Sequence, residues 1–457
     1  MTWGRAPRHG TRVSNALTAL VVFTLVMTAP GRGAETRPAD DYWPAWRGPL
    51  ASGVAPTGQP PLRWSETQNV RWKVPVPGES TSSPIVWADK VFFLTAIETD
   101  RQGTPEGPPA GSTEVPFHGG KPPKNFYKFD VVCLDRATGR ILWQRTAREE
   151  VPHEGHSPEH GFASYSPVTD GTYVWAGFGS HGVHCYSLDG AHKWSRDLGR
   201  MTTKLMFGEG SSPALAGDAL IVVMDHEGQS FIYALDKNTG ETLWKQARDE
   251  DTAWATPVVV EVNGKMQVIV SATNRIRSYD VGTGELIWQC GGQTQNVIPS
   301  PVVAGDLVFC TSGFRGSELQ AIELGHTGDL TGTPAVRWEV SKATPYVPSP
   351  LVYDGRLYVC SMNRAAISCY HAATGKLNFV EEKLEAVRDI YASPVGAAGR
   401  VYFVGRKGTT AVIKNAEKLE VLATNTLDDG FDASPAIAGD CIYLKGKRHL
   451  YCLSATP

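Results

Sequence analysis

Short apolar stretches separated by turn residues fill most of the 457-residue chain, and they recur with a fixed internal order. A serine or threonine followed by proline and then small or branched apolar residues occurs eight times, at Pro84, Pro167, Pro213, Pro257, Pro301, Pro350, Pro394 and Pro435. The spacings are 83, 46, 44, 44, 49, 44 and 41 residues, and all but the first match the roughly 40 to 50 residues of a four-stranded propeller blade. Residues 211–244 show the order: a first strand after the proline, an Ala-Gly-Asp turn, a second apolar strand, a turn, FIYALD, and a short strand ending in Trp244. Proline suits the first residue of a strand because it has no ladder donor to lose. The pattern predicts an all-β fold, an eight-bladed β-propeller of four-stranded antiparallel blades over residues 70–457.

The run Asp-x-x-Thr-Gly recurs at Asp135, Thr138 and Gly139, at Asp236, Thr239 and Gly240, and at Asp280, Thr283 and Gly284, with Trp143, Trp244 or Trp288 four residues on. Asp and Thr side chains can bond nearby backbone, and Gly takes a positive φ without steric cost. The tryptophans are expected to pack between blades. The eighth repeat stops at Pro457 without its last strand, and VRWKVPV at 70–76 resembles the missing piece. The ring is therefore expected to close with an N-terminal strand, which removes an exposed sheet edge. The first spacing is long because of an insertion at 97–125, rich in Gly and Pro and expected to form an irregular loop.

Upstream, Arg5, Arg8 and Arg12 precede the uncharged apolar run Ala16–Ala29, which is too short to span a bilayer as a helix. This reads as an export signal over residues 1–33, cleaved near Gly33. Residues 34–69 form an extended segment containing WPAWRGP at 43–49, expected to pack across the ring exterior with Trp43 and Trp46 as anchors. With no cysteine before Cys133, no lipid anchor is expected after the signal, and no later segment is long and apolar enough to span a membrane as a helix. The protein is expected to be exported, periplasmic or extracellular. A formal charge of −3 argues against nucleic acid as a partner. The eight cysteines are expected to be small buried hydrophobes: Cys133, Cys185, Cys369 and Cys452 share one strand-three position that Ala234 and Ser278 fill elsewhere. Within a hairpin Cys360 could face Cys369, or Cys441 could face Cys452, and superposable blades permit at most one of these.

Blade topology places the turns after strand two and the blade-joining loops on one variable face. There the candidate binding residues are His181, Arg275, Arg315, Asn363, Arg364, Arg406 and Lys407 from the turns, with Trp254 and Tyr391 from the joining loops. Arginine and aromatic side chains are the types enriched where partners bind. The blade-one to blade-two connection, 149–162, adds His153, His156 and His160 as a candidate divalent-metal set.

The Asp-x-x-Thr-Gly-x-x-x-Trp turns resemble those of the pyrroloquinoline-quinone-repeat, or quinoprotein-like, propellers, and eight blades on a short chain are similar to the BamB-like members. The resemblance covers about Val70 to Leu453. WPAWRGP and SYSPVTDGTYVWAGFGSHGVHCY at 164–186 resemble exported planctomycete-type members. What the resemblance implies is a non-catalytic binding or assembly platform, and the cluster of cations on the variable face of blades four to eight, Lys447 and Arg448 among them, would suit an envelope protein or an acidic polymer as partner. Quinoprotein dehydrogenases of the wider family hold pyrroloquinoline quinone (PQQ) with calcium, an adjacent Cys-Cys disulfide and a catalytic aspartate. No two cysteines are adjacent here and no acidic set matches the calcium ligands, so no cofactor is expected. The alternative is a PQQ- and calcium-dependent alcohol or sugar dehydrogenase.

Overall fold

The computed structural model describes residues 41–105 and 121–455, so the expected export signal and the middle of the 97–125 insertion lie outside the described residues. Among the described residues the strands form eight sheets, seven of four strands and one of five. In the third blade Ala214–Ala216, Ala219–Met224, Ser230–Asp236 and Thr242–Arg248 pair antiparallel in that order. First strands of neighbouring blades touch around a central channel, and the fourth strands lie outermost. The eighth blade takes its fourth strand from Val70–Pro75, which runs antiparallel to His449–Ser454 with Trp72 opposite Cys452. The ring is closed as the missing strand predicted.

The described flanks of the insertion are more regular than their composition suggested. They prolong the hairpin of Lys90–Gln102 and Asn125–Asp135, with Ile97 opposite Lys128 and Gln102 opposite Asn125. Arg101 lies 3.5 Å from the centre of the Phe126 ring, which covers an otherwise solvated strand end.

The repeated turns behave as their residues require. Thr138 donates its amide (2.8 Å) and hydroxyl (2.7 Å) to Asp135 Oδ1, and Gly139 sits at φ +73°. A Cβ on Gly139 would lie 2.8 Å from the Trp72 ring, so the absent side chain admits the neighbouring blade's indole. Trp143, Trp194, Trp244 and Trp338 lie in the same way over Gly190, Gly240, Gly284 and Gly375, and each indole N–H reaches a carbonyl of the next blade, as Trp244 does at Val281 (2.7 Å). The small strand-three residues are explained too: Cys133, Cys185, Ala234, Ser278 and Cys369 stand directly opposite Trp143, Trp194, Trp244, Trp288 and Phe379. All eight cysteines are buried free thiols; Cys360 faces Ile367 and Cys441 faces Ser454, so neither hairpin pair is directly opposed.

One indole breaks the pattern. Trp288 is fully buried with its N–H unpartnered. The next blade lacks the Asp-x-x-Thr-Gly run; instead its longer connection sends Gly328–Asp329 back to add a fifth, parallel strand beside Trp288 and Gln289.

At the channel the Ser/Thr of each Ser/Thr-Pro motif has its own task. The Ser83 amide donates to Ser166 Oγ (3.0 Å), Ser166 to Ser212 (2.9 Å), Ser212 to Thr256 (2.9 Å) and Thr256 to Ser300 (2.8 Å). Ser300 donates to Ser349 (3.0 Å), Ser349 to Ser393 (2.9 Å), Ser393 to Ser434 (2.9 Å), and Ser434 back to Ser83 (2.9 Å). Eight amides and eight hydroxyls thus form one closed circle. Each bond pairs a backbone donor that proline, next in sequence, leaves without a ladder partner.

The 43–55 segment does not lie across the exterior. Trp43 exchanges two backbone hydrogen bonds with Val86 in the first strand of blade one (2.9 and 2.8 Å), Pro44 O accepts from Thr169 in blade two, and Gly53 to Ala55 pair with Gly396 in blade seven. The segment is a plug inside the channel. First-strand edges are unpaired in a propeller, and the plug satisfies part of that edge while burying Trp43 completely. Its pin is Arg47, 2% exposed, whose Nη1 donates to Pro394 O (2.6 Å) and Nη2 to Pro350 O (2.6 Å) and Ser52 O (2.9 Å). Burial pushes the guanidinium below its ordinary pKa, and the three carbonyls offset that cost. Gly48 (φ +78°) and Gly53 (φ +83°) make the tight loop; a Cβ would come within 2.8 Å of the Trp43 ring and 2.5 Å of Arg47 Cζ. The chain leaves along the Ala-Gly-Asp turns, where Gln59 N meets Asp440 Oδ1 (2.6 Å), then passes Asn425 and becomes the closing strand.

Candidate functional site

Above the plug, on the blade-joining side, the channel widens into a cavity of about 340 Å³. Trp46 from the plug contributes to its lining, and seven of the eight circle residues, all but Ser300, face it. Phe207, Trp254, Tyr346 and Tyr391 from the blade-joining loops bring aromatic surface, and each is half-buried. Trp254 is aimed by a 2.7 Å bond from its indole N–H to Gly208 O and lies over Gly210, where a Cβ would stand 3.1 Å away. Tyr346 stacks on Phe314 with ring centres 5.1 Å apart.

One side of the mouth is a charged clasp. Arg406 donates to Asp432 (2.5 Å) and to Glu159 (2.9 Å), and its guanidinium lies 3.8 Å from the centre of the Tyr391 ring. Tyr391 in turn donates its hydroxyl to Glu159 (2.5 Å). The clasp ties the blade-one to blade-two loop to blades seven and eight across the ring. His160 also lines the cavity. Its Nδ1 meets Gly161 N (2.9 Å) and Ser164 Oγ (2.8 Å), and burial pushes its pKa down to about 4, so the ring is neutral at pH 7.

The variable-face candidates therefore divide. Trp254, Tyr391, Arg406 and His160 converge on the cavity and its mouth. Arg315, Asn363, Arg364 and Lys407 are exposed; Arg364 pairs with Glu381 at 3.2 Å. Arg275 is half-buried against Thr331 (3.2 Å) and Asp329 (3.9 Å). His181 is not on the surface: it is 5% exposed, stacked on Phe129 with centres 3.9 Å apart and bonded to Glu150.

The three loop histidines do not form a ligand set. His153 is buried on Met201 O (2.7 Å), His156 turns to Ser157 O (2.8 Å), and His160 faces the cavity. Among the described residues no three His, Cys, Asp or Glu side chains are gathered so as to hold a metal. Sequence reasoning missed Trp46 and the circle of hydroxyls as site residues. The signal for the second was present, since a hydroxyl residue precedes every repeat proline.

A family model described as "Outer membrane protein assembly factor BamB" matches residues 128–381, more than half of the chain. The chain belongs to this family. An outer membrane protein assembly factor BamB of Burkholderia pseudomallei (strain K96243) is 23% identical over 333 residues, covering 68% of this chain and 75% of that protein. Among solved structures, BamB from Moraxella catarrhalis superposes with a TM-score of 0.51 at 13% identity, over 79% of this chain and 99% of that one. A computationally designed protein, Ika8, gives 0.50 at 14% identity, over 74% and 98%. At such identities the likeness is one of fold. The BamB family match runs from strand three of blade one to strand four of blade six, so the plug and blades seven and eight, including Tyr391, Arg406 and Asp432, lie outside the matched stretch.

Proposed function

We propose that the protein is a non-catalytic binding or assembly platform on the exported side of a cell envelope, and that it works through its blade-joining face. The observation carrying this reading is the asymmetry of the channel: the turn side is filled by the chain's own plug, whereas the blade-joining side keeps an open cavity ringed by non-repeated side chains. Fold alone assigns no activity; the site grafted on it does. The relatives are described as assembly factors, which fits a platform for an envelope protein. Arg364, Arg406, Lys447 and Arg448 all have carboxylate partners within 4 Å, which leaves that cationic cluster largely neutralised and favours a protein partner over an acidic polymer.

The quinone does not fit this site. PQQ carries three carboxylates, yet the cavity lining holds no Lys or Arg and two carboxylates of its own, Glu159 and Asp432. No calcium-ligating group of acids stands among the described residues, and the cysteines are free thiols, no two of them adjacent in sequence. The test is crosslinking in intact envelopes with wild type and with the triple change Arg315→Ala, Arg364→Ala and Lys407→Ala. Recovery of a specific partner should fall about tenfold or more. Equal recovery with both proteins overturns the reading of this face.

A further inference from the structure

We propose that the cavity takes a neutral polyhydroxylated ligand, a stretch of saccharide chain, held between the circle of hydroxyls and the aromatic mouth. This rests on the same open cavity as the platform reading, names what occupies it, and is tested on residues that the crosslinking variant leaves unchanged.

The circle is the first reason. Every one of its eight hydroxyl oxygens accepts an amide N–H from the neighbouring blade, and among the described residues none of these hydroxyls donates. A hydroxyl both accepts and donates. The chain therefore leaves a ring of O–H donors with no protein acceptor, most of them on residues less than 9% exposed and seven facing the cavity. Buried polar hydrogens call for a partner. What sits there has to bring several acceptors spaced around it, as a sugar's oxygens are.

Charge is the second reason, because a ring of donors would serve an anion equally well. The lining contains Glu159 and Asp432 and no Lys or Arg, and His160 is neutral. Arg406 is committed to both carboxylates, with Nε and Nη1 at 2.5 and 2.9 Å. A phosphate or carboxylate would face two carboxylates without a counter-ion of its own, and burial makes that costly. A neutral polyol meets the same carboxylates as acceptors for its own hydroxyls.

Shape is the third. Trp254, Tyr346, Phe207 and Tyr391 stand around the mouth, and Trp46 closes the space below. Aromatic rings offer flat apolar surface to the C–H face of a sugar ring while the circle bonds its polar edge. The volume, 340 Å³, falls at the lower end of the roughly 300 to 1,000 Å³ found for small-molecule sites. The plug makes the site one-mouthed, so a chain end can lodge in it but cannot thread through.

The experiment is calorimetric and tryptophan-fluorescence titration of the purified chain with maltotriose, cellotriose and triacetylchitotriose, and separately with inorganic phosphate. At least one trisaccharide should bind saturably and shift the indole emission. Trp254→Ala and Tyr346→Ala should each weaken that binding about tenfold or more, whereas Trp288→Phe, far from the cavity in the outer part of blade four, should not. Thermal melts of each variant separate lost binding from lost folding. The proposal is overturned if no trisaccharide binds at about 10 mM, if phosphate binds in their place, or if folded Trp254→Ala and Tyr346→Ala proteins bind as wild type does. None of these residues is altered in the crosslinking variant, so either reading can fail alone.

Discussion

The two ends of the central channel are built on the same eight first strands and have opposite fates. At the turn end, residues 43–55 supply backbone partners, a buried tryptophan and a buried arginine, and they occupy the channel. At the blade-joining end the same strands begin with the Ser/Thr-Pro circle, and nothing from the described chain fills the space inside it. The repeats account for the walls at both ends. The difference comes from non-repeated segments, one closing a floor and the others arranging a mouth, and it locates recognition where the repeats are interrupted.

Both ends of the channel depend first on the closed ring, so opening it has the largest expected effect. Deleting residues 70–76 exposes the outer edge of His449–Ser454 and should abolish the cooperative thermal transition or cause aggregation; a truncated chain that melts like the full one contradicts ring closure. Next in size is the plug. Arg47→Ala leaves three buried carbonyls without their donor and frees the loop, and should cost about 2–4 kcal/mol in denaturant unfolding. A change below about 0.5 kcal/mol would mean the pin is dispensable.

A smaller effect contrasts the inner circle with the outer belt. Ser349→Ala strands the Ser300 amide and should cost about 1–3 kcal/mol, while Trp288→Phe, whose indole N–H is already unpartnered, should cost less than Trp244→Phe, which loses a 2.7 Å bond. Equal costs for the two tryptophans would remove the distinction drawn between blades four and three.

The smallest effect lies in pH. Burial pushes the Lys445 ammonium down to about 7, against Asp432 and Asp429, while its Nζ donates to Ser80 O (2.6 Å) at the seam of blades eight and one. Between pH 7 and the ordinary lysine value the unfolded chain binds the extra proton, so Lys445 makes stability rise with pH there. Melting temperature should climb from pH 7 to 9 more steeply in wild type than in Lys445→Met. Parallel profiles would deny the titration.

Much of the scaffold was legible because each repeated residue has a local duty. The Asp-x-x-Thr-Gly turn and the following tryptophan declare themselves by spacing, and the absent last strand of repeat eight pointed to Val70–Pro75. The plug was not legible, since WPAWRGP occurs once and its partners, Val86, Pro350 and Gly396, are remote in sequence. Nor was the neutralisation of Arg406, whose carboxylates sit 247 residues before it and 26 after. The histidines of 149–162 misled for the opposite reason: they are close along the chain, yet His153 turns into the core and His160 toward the cavity.

The asymmetry of the channel depends on residues 43–55 closing it from the turn side. Native-state hydrogen–deuterium exchange read on peptides covering 43–55 tests that closure most directly. Protection of the Trp43, Gly53 and Ala55 amides comparable to that of the innermost blade strands is the predicted result. Exchange of those amides at the rate of an unstructured peptide, with the blades still protected, would contradict it.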